Sequence, residues 1–242
     1  MFSGLLEHVS SRSTSPRFIV KGGVALELRL PGKARATDDL DVVAFCDDND
    51  VVRAVHVAMI EPYCDCTFTR RADTLALGDA GTRVWVQVAY RSQRWATIQV
   101  DLAKPEMAAD AAERVPGIPL VHFGLTGPTH VRCLSIPFHI AQKLHGMTKV
   151  PYHGGINDRF RDVVDLLLLR GLVPRRGLRK VRSACEETFR TRGQHAWPTT
   201  IAFPTMWREP YASLAASVGV REATLDVAEI AVRDFVRRIA AA

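Results

Sequence analysis

The spacing of apolar residues changes period once along this chain, and that change restricts the fold more than any other feature. Up to Leu102 the apolar residues alternate or run in short blocks. Arg17 to Val20, Asp39 to Phe45, Cys66 to Arg70, Thr74 to Leu77, Arg83 to Tyr90 and Trp95 to Leu102 read as strands. Gly78-Asp79 with Gly81, and Arg91-Ser92, read as the hairpin turns between them, and Val24 to Leu30 as a short helix closed by Pro31-Gly32. From Ser135 the recurrence is helical: Pro137 suits a first turn, and Ile140, Leu144 and Met147 follow on one face. Asn157 is placed as the N-cap of a second helix, with Phe160, Val163, Val164, Leu167 and Leu168 as its apolar stripe. Leu178 to Arg190 and Glu222 to Ile239 are further helices, the last with Val227, Ile230, Phe235 and Ile239 facing inward, and His195 to Tyr211 is expected to be irregular. Many strands with few helices between them, then helices alone, predict an α+β fold with a mixed sheet and a helical C-terminal half. The Pro- and Gly-rich stretch from Pro116 to Pro128 marks the boundary, giving domains 1–130 and 131–242.

Composition narrows the function classes. With 242 residues, 47% of them hydrophobic, the chain can bury a core, which argues against disorder. The densest apolar run, Val163 to Leu169, contains Asp165 and ends at Arg170, well short of the ~20 residues a membrane span needs. The five cysteines include a C-x-C at Cys64 and Cys66 rather than a zinc-type C-x-x-C. They are expected to be buried or free thiols in a reducing cytoplasm. None of the eight histidines has metal-ligand spacing, although His153 lies in a Gly-rich stretch that could approach a substrate.

The acids carry the chemistry. In a strand at DLDVVAF, Asp39 and Asp41 point to one face while Leu40 and Val42 point to the other. Two carboxylates so placed repel unless a cation lies between them, and Mg²⁺ commonly joins such acids to substrate phosphates. A third acid, Asp101, follows in IQVDLA, on the strand face opposite Val100 and Leu102. Upstream, Gly22-Gly23 opens a short helix, where backbone N–H groups can approach a phosphate.

This order of Gly-Gly, short helix, D-x-D strand and distant Asp strand resembles the nucleotidyltransferase fold of the DNA polymerase β superfamily. More narrowly, the chain resembles the AbiEii/AbiGii-type nucleotidyltransferase toxins, including the mycobacterial MenT-like ones. Lys21-Gly22-Gly23 with Arg35-x-Thr37-x-Asp39-Leu40-Asp41 matches the family's first motif. Lys143 followed by Arg159-x-Arg161-Asp162-x-x-Asp165-Leu166 resembles its second, and Pro204, Trp207 and Tyr211 resemble its C-terminal segment. The family often has Ser or Thr directly after the glycines, where this chain has Val24, so a hydroxyl contact to phosphate is lost while the backbone contacts remain.

The resemblance implies a polymerase-β-like core and a catalytic set of Asp39, Asp41, Asp101, Lys143, Asp162 and Asp165, with two Mg²⁺ ions on the first three. It implies nucleotide binding by Lys21, Gly22, Gly23, Thr37, Lys143, Arg159 and Arg161. It also implies transfer of a nucleotide from an NTP to a tRNA 3′ end, which blocks translation, and a cognate antitoxin. Independently, Asp158, Arg161, Asp162 and Asp165 fall at helical spacings expected to form one polar face, paired with Lys143, Arg159 or Arg161.

The formal charge of +6 is unevenly spread: residues 151–200 carry 10 basic and 5 acidic side chains. Arg170, Arg175, Arg176, Arg179, Lys180 and Arg182 form either a solvated helix face or a phosphate-backbone contact for tRNA. Two other functions stay open. One is a nucleotidyltransferase acting on a small molecule such as an antibiotic, against which the basic surface argues. The other is a non-catalytic nucleic-acid-binding protein on the same fold, against which the three retained acids argue.

Overall fold

The computed structural model describes residues 1–12, 17–46, 50–78, 81–108, 111–121, 124–148, 157–198 and 200–242. Asp79 of the first expected turn, and the histidines His122 and His153, lie outside these residues. The chain divides into two units: Met1–Pro31 with Ala36–Leu134, and Gly32–Arg35 with Ser135–Ala242.

The first unit is built on a seven-stranded mixed sheet. Its strands are β1 (Arg17–Lys21), β2 (Asp39–Phe45), β3 (Cys66–Ala76), β4 (Thr82–Tyr90), β5 (Gln93–Ala103), β6 (Ala112–Pro116) and β7 (His130–Leu134), and its helices α1 (Phe2–Arg12), α2 (Gly22–Arg29) and α3 (Val51–Ala58). The order across the sheet is β3-β4-β5-β2-β1-β7-β6. β2 runs parallel to β5 and β1 parallel to β7, while the other neighbours are antiparallel. The expected strands Cys66 to Arg70 and Thr74 to Leu77 are one strand whose register shifts between Arg70 and Thr74. Arg91 and Ser92 form a two-residue turn with both residues at positive φ, the backbone twist that suits a tight hairpin.

Alternation assigns the two faces of the sheet. Phe18 and Val20 of β1, Leu40, Val42 and Ala44 of β2, Val84, Val86 and Val88 of β4, and Val100 and Leu102 of β5 are buried in one cluster with Phe2, Leu5 and Leu6 of α1 and Val55 of α3. Burial of such side chains stabilises by about 1.5–3 kcal/mol each, which holds the register against a one-residue slip. The odd-numbered residues of β2, Asp39 and Asp41, are thereby committed to the opposite face.

Four elements escape the periodicity argument: α1, α3, β6 and β7. The apolar face of α1 is diluted by Gly4, Ser10 and Ser11, and tertiary bonds hold it. Ser10 Oγ accepts from the Phe18 N–H at 2.9 Å, and the buried Glu7 accepts from the Arg132 N–H at 2.9 Å.

The second unit contains α4 (Ile136–Thr148), α5 (Phe160–Arg170), α6 (Leu178–Arg192), α7 (Arg208–Val218) and α8 (Leu225–Ala240). Three expectations are corrected here. Asn157 does not cap α5; its side-chain amide donates to the carbonyls of Gly146 and Met147 and ties the chain back to the end of α4. The segment before Tyr211 is not irregular throughout, because a single 3₁₀ turn at Thr205–Trp207 leads into α7. Pro210 is accommodated in that helix's first turn, where no N–H is needed. In α8, Val227 and Ile230 are exposed, and the buried stripe is Leu225, Ala228, Val232, Phe235, Val236 and Ile239. Thr224 accepts from the Val227 N–H and starts the helix, and at about 3.6 residues per turn Val227 and Ile230 fall roughly 80° and 140° around from Phe235, off the buried stripe. α5 is buried on nearly every side, adding Leu166 and Leu169 to the expected stripe, as befits the central helix of a bundle.

Candidate active site

The first-unit site is set by strand register. Asp41 on β2 lies directly beside Asp101 on β5, and Asp39 lies beside Gln99. Because neighbouring strands are about 4.8 Å apart and paired residues share a face, the three carboxylates occupy one patch of the sheet. All three are partly accessible. Lys21 at the end of β1 pairs with Asp41 from the other side.

Gly22 and Gly23 make room for this patch. Gly22 has φ +63°, a left-handed conformation, and a Cβ there would lie 1.9 Å from Asp41 Oδ2. A Cβ on Gly23 would lie 2.7 Å from the Thr37 Cβ. Either approach is closer than any side chain tolerates, so both glycines let the start of α2 sit against the D-x-D strand. Thr37 Oγ1 donates to Asp39 Oδ1 at 2.6 Å and fixes that carboxylate. Thr37, Asp39 and the Gly pair therefore act together, and Val24 is packed against the core.

Sequence reasoning missed Arg83. It stands opposite Asp101 in the β4–β5 pairing, and its Nε and Nη2 donate to Asp101 Oδ1 and Oδ2 at 2.7 and 2.9 Å. The Arg83 guanidinium is held even more firmly protonated than usual, chiefly by that bond, with the charges of Asp101, Asp39 and Asp41 adding to it. Burial of Val84, Val86 and Val88 already placed Arg83 on the acid face, but only the strand pairing shows which acid it meets. Among the described residues no three His, Cys, Asp or Glu side chains converge closely enough to hold a metal ion. The oxygen donors on one shared face nonetheless suit a hard divalent cation.

The second unit has its own charged centre. Lys143 Nζ on α4 donates to Asp162 Oδ1 at 2.7 Å and lies 2.8 Å from Asp165 Oδ2, both on α5. Arg35 Nε and Nη2 reach Asp165 Oδ1 and Oδ2 at 3.1 and 3.3 Å. Asp165 has no exposed side-chain surface and Asp162 has 5%. The expectation of a single polar face is thus corrected. Asp158 precedes the helix, Arg161 is exposed and lies over the Phe160 ring, and Asp162 and Asp165 turn inward. Two cations and two anions balance, which is how buried charges are tolerated. Burial would lower the Lys143 pKa, but Asp162 and Asp165 outweigh it and raise the value. For Asp165, burial works against the charged form, yet Lys143 and Arg35 hold its carboxyl below the ordinary range. Arg159, 57% exposed, approaches Asp162 at 3.5 Å.

Trp207 and Tyr211 are buried anchors: the Trp207 Nε1–H donates to the Asn157 carbonyl at 2.8 Å and the Tyr211 hydroxyl to the Glu222 carbonyl at 2.6 Å. Of the basic segment, Arg170 is paired with Glu222, and Arg182 with Glu186 at 2.8 Å. Arg175, Arg176, Arg179 and Lys180 are exposed and make no ion pair among the described residues. No helix among the described residues is long and apolar enough to cross a membrane.

A search of curated proteins finds no significant match. Among solved structures, MenT4, a nucleotidyltransferase toxin from Mycobacterium tuberculosis, superposes with a TM-score of 0.59 at 19% identity, covering 98% of this chain and 81% of that one. An antigenic nucleotidyltransferase-like protein from Paracoccidioides brasiliensis gives 0.47 at 14% identity, over 79% of this chain and 88% of that one. The antibiotic-resistance factor ANT(2'')-Ia gives 0.43 at 16% identity, over 78% and 89%. The fold is that of the nucleotidyltransferases. The family described as nucleotidyl transferase AbiEii toxin, type IV toxin–antitoxin system, matches residues 4–237, and with nearly the whole chain accounted for, this protein belongs to the AbiEii nucleotidyltransferase toxin family.

Proposed function

We propose that the protein transfers a nucleotide from an NTP to the 3′ end of a tRNA, that the reaction needs Mg²⁺, and that the modification blocks translation. The observation that carries the proposal is the register that sets Asp41 beside Asp101, with Asp39 on the same face and Gly22-Gly23 packed against them.

Asp39 and Asp41, joined by Asp101, would hold the divalent ions. When bound, the ions supply Lewis-acid stabilisation of charge on the phosphates. The start of α2, which Gly22 and Gly23 allow to lie against Asp41 and Thr37, offers backbone N–H groups to the triphosphate. Thr37 orients Asp39. In the transfer step the acceptor hydroxyl oxygen bonds to the α-phosphorus as the bond to the β-phosphate bridging oxygen breaks. Pyrophosphate leaves, and the hydroxyl proton passes to Asp101. Such a reaction depends mostly on positioning and electrostatics, which suits a site made of fixed acids and backbone.

Lys143, Arg159 and Arg161, which the resemblance assigns to nucleotide binding, lie on the second unit, where Asp162 and Asp165 hold Lys143 in place. Exposed Arg175, Arg176, Arg179 and Lys180 are assigned to the tRNA backbone. Their surplus of positive charge favours an RNA acceptor over a cationic small molecule. An antitoxin partner follows from the family.

The test is incubation with pooled tRNA, Mg²⁺ and each labelled NTP in turn, beside Asp41→Ala. Wild type labels tRNA with at least one NTP, and the variant does not. Absence of label with every NTP refutes the acceptor assignment, and equal labelling by the variant refutes the acid site.

A further inference from the structure

The three-acid patch has a resident cation of its own. Arg83 grips both oxygens of Asp101 in a two-pronged bond on the face that carries Asp39 and Asp41. A carboxylate held this way has its best lone pairs committed. Arginine cannot be deprotonated to release them, so the guanidinium has to move before another cation takes its place. By contrast with this two-pronged bond, the Arg29–Glu113 and Arg12–Glu61 pairs each join a single nitrogen to a single oxygen, at 3.0 Å.

We infer that Arg83 is a displaceable counter-cation that masks Asp101 from divalent metal until the guanidinium is released, so that the patch is fully competent for cations only when Arg83 has let go. This rests on the metal-dependent reading of the acid site given above. It assigns Arg83 a positioning role: the residue acts through Asp101. The guanidinium also offsets the mutual repulsion of the carboxylates on that sheet face.

The inference is tested by Mn²⁺ titration of the full chain without nucleotide, reading free Mn²⁺ by electron paramagnetic resonance, with thermal unfolding alongside. The variants are R83Q, R83K, D41N and R83Q/D101N. R83Q removes a positive charge a few ångströms from the cation and frees Asp101, so it binds Mn²⁺ at least about tenfold more tightly than wild type. R83K, which keeps the charge but lacks the two-pronged grip, gains severalfold, and R83Q/D101N loses the gain. R83Q also melts lower than wild type without metal and recovers when Mn²⁺ is added, while wild type changes little. Equal or weaker Mn²⁺ binding by folded R83Q overturns the masking role, and if R83Q does not fold, unchanged affinity in R83K does so. D41N separates the two proposals: if it binds as well as wild type, the acid metal site itself fails, whereas if it binds weakly and R83Q is unchanged, only the role of Arg83 fails. Absence of binding by every variant overturns both.

Discussion

Replacing Lys143 with Met removes one charge from a buried four-residue centre, and the consequence is large. Lys143 Nζ lies 2.7 Å from Asp162 Oδ1 and 2.8 Å from Asp165 Oδ2. At an effective dielectric constant near 20, each contact is worth about 6 kcal/mol of Coulomb attraction as an upper bound, much of it offset by the cost of burying the ammonium. What remains after substitution is a nearly inaccessible pair of carboxylates with Arg35 reaching only Asp165 at 3.1–3.3 Å and the exposed Arg159 reaching Asp162 at 3.5 Å. Breaking a buried pair from one side typically costs about 3–5 kcal/mol. For a chain of this size that lowers the melting temperature by roughly 6–20 °C. The pH dependence has a definite sign. Asp165 is held below its ordinary 3.8, so its stabilisation is present above that pH and fades as pH falls through the folded value. Lys143 is raised above 10.5, so its contribution is present below that pH and is lost as pH rises through the folded value. The gap between wild type and variant is therefore full at neutral pH and narrows as pH falls below 3.8. Urea denaturation at pH 7 and at successively lower pH below 3.8 measures it, and K143M/D165N should cost less than the sum of its parts. A loss below about 1 kcal/mol at pH 7, or a gap that widens in acid, would refute the buried-network account.

Gly22→Ala tests the close approach of α2 to the acids. A methyl group 1.9 Å from Asp41 Oδ2, at φ +63°, must displace either the carboxylate or the helix start. We expect about 1–2 kcal/mol of backbone strain and a drop in label transfer much larger than the loss of stability; near-wild-type transfer would remove the steric argument. For the basic segment, replacing Arg175, Arg176, Arg179 and Lys180 together by Gln should flatten the salt dependence of tRNA binding by up to about 3 in the log–log slope, and an unchanged slope would mean a solvated face only.

The local elements were legible in the sequence wherever burial on one side forced a simple period. β2 runs over Asp39–Phe45 as expected, and Asp39 and Asp41 share a face because Leu40 and Val42 are needed in the core. α4 begins around Pro137, readable from local chemistry, whereas α6 runs two residues past the expected Arg190 to the left-handed Gly193. Where the period failed, long-range contacts had replaced local ones. α1 depends on Ser10 and Glu7 reaching strands, and α5 buries Asp162 and Asp165 because Lys143 and Arg35 meet them.

From the sequence alone, then, came the α+β order, the three acids, the glycine pair before them and the family they resemble, because these depend on spacing within a strand or turn. Tertiary structure decided which acid stands beside which and who holds it. Parallel pairing of β2 with β5 puts Asp41 next to Asp101, and antiparallel pairing of β4 brings Arg83 onto Asp101. Spacing within a strand says which face a side chain takes, whereas strand order and register, set by packing of the whole core, choose its neighbour across the sheet.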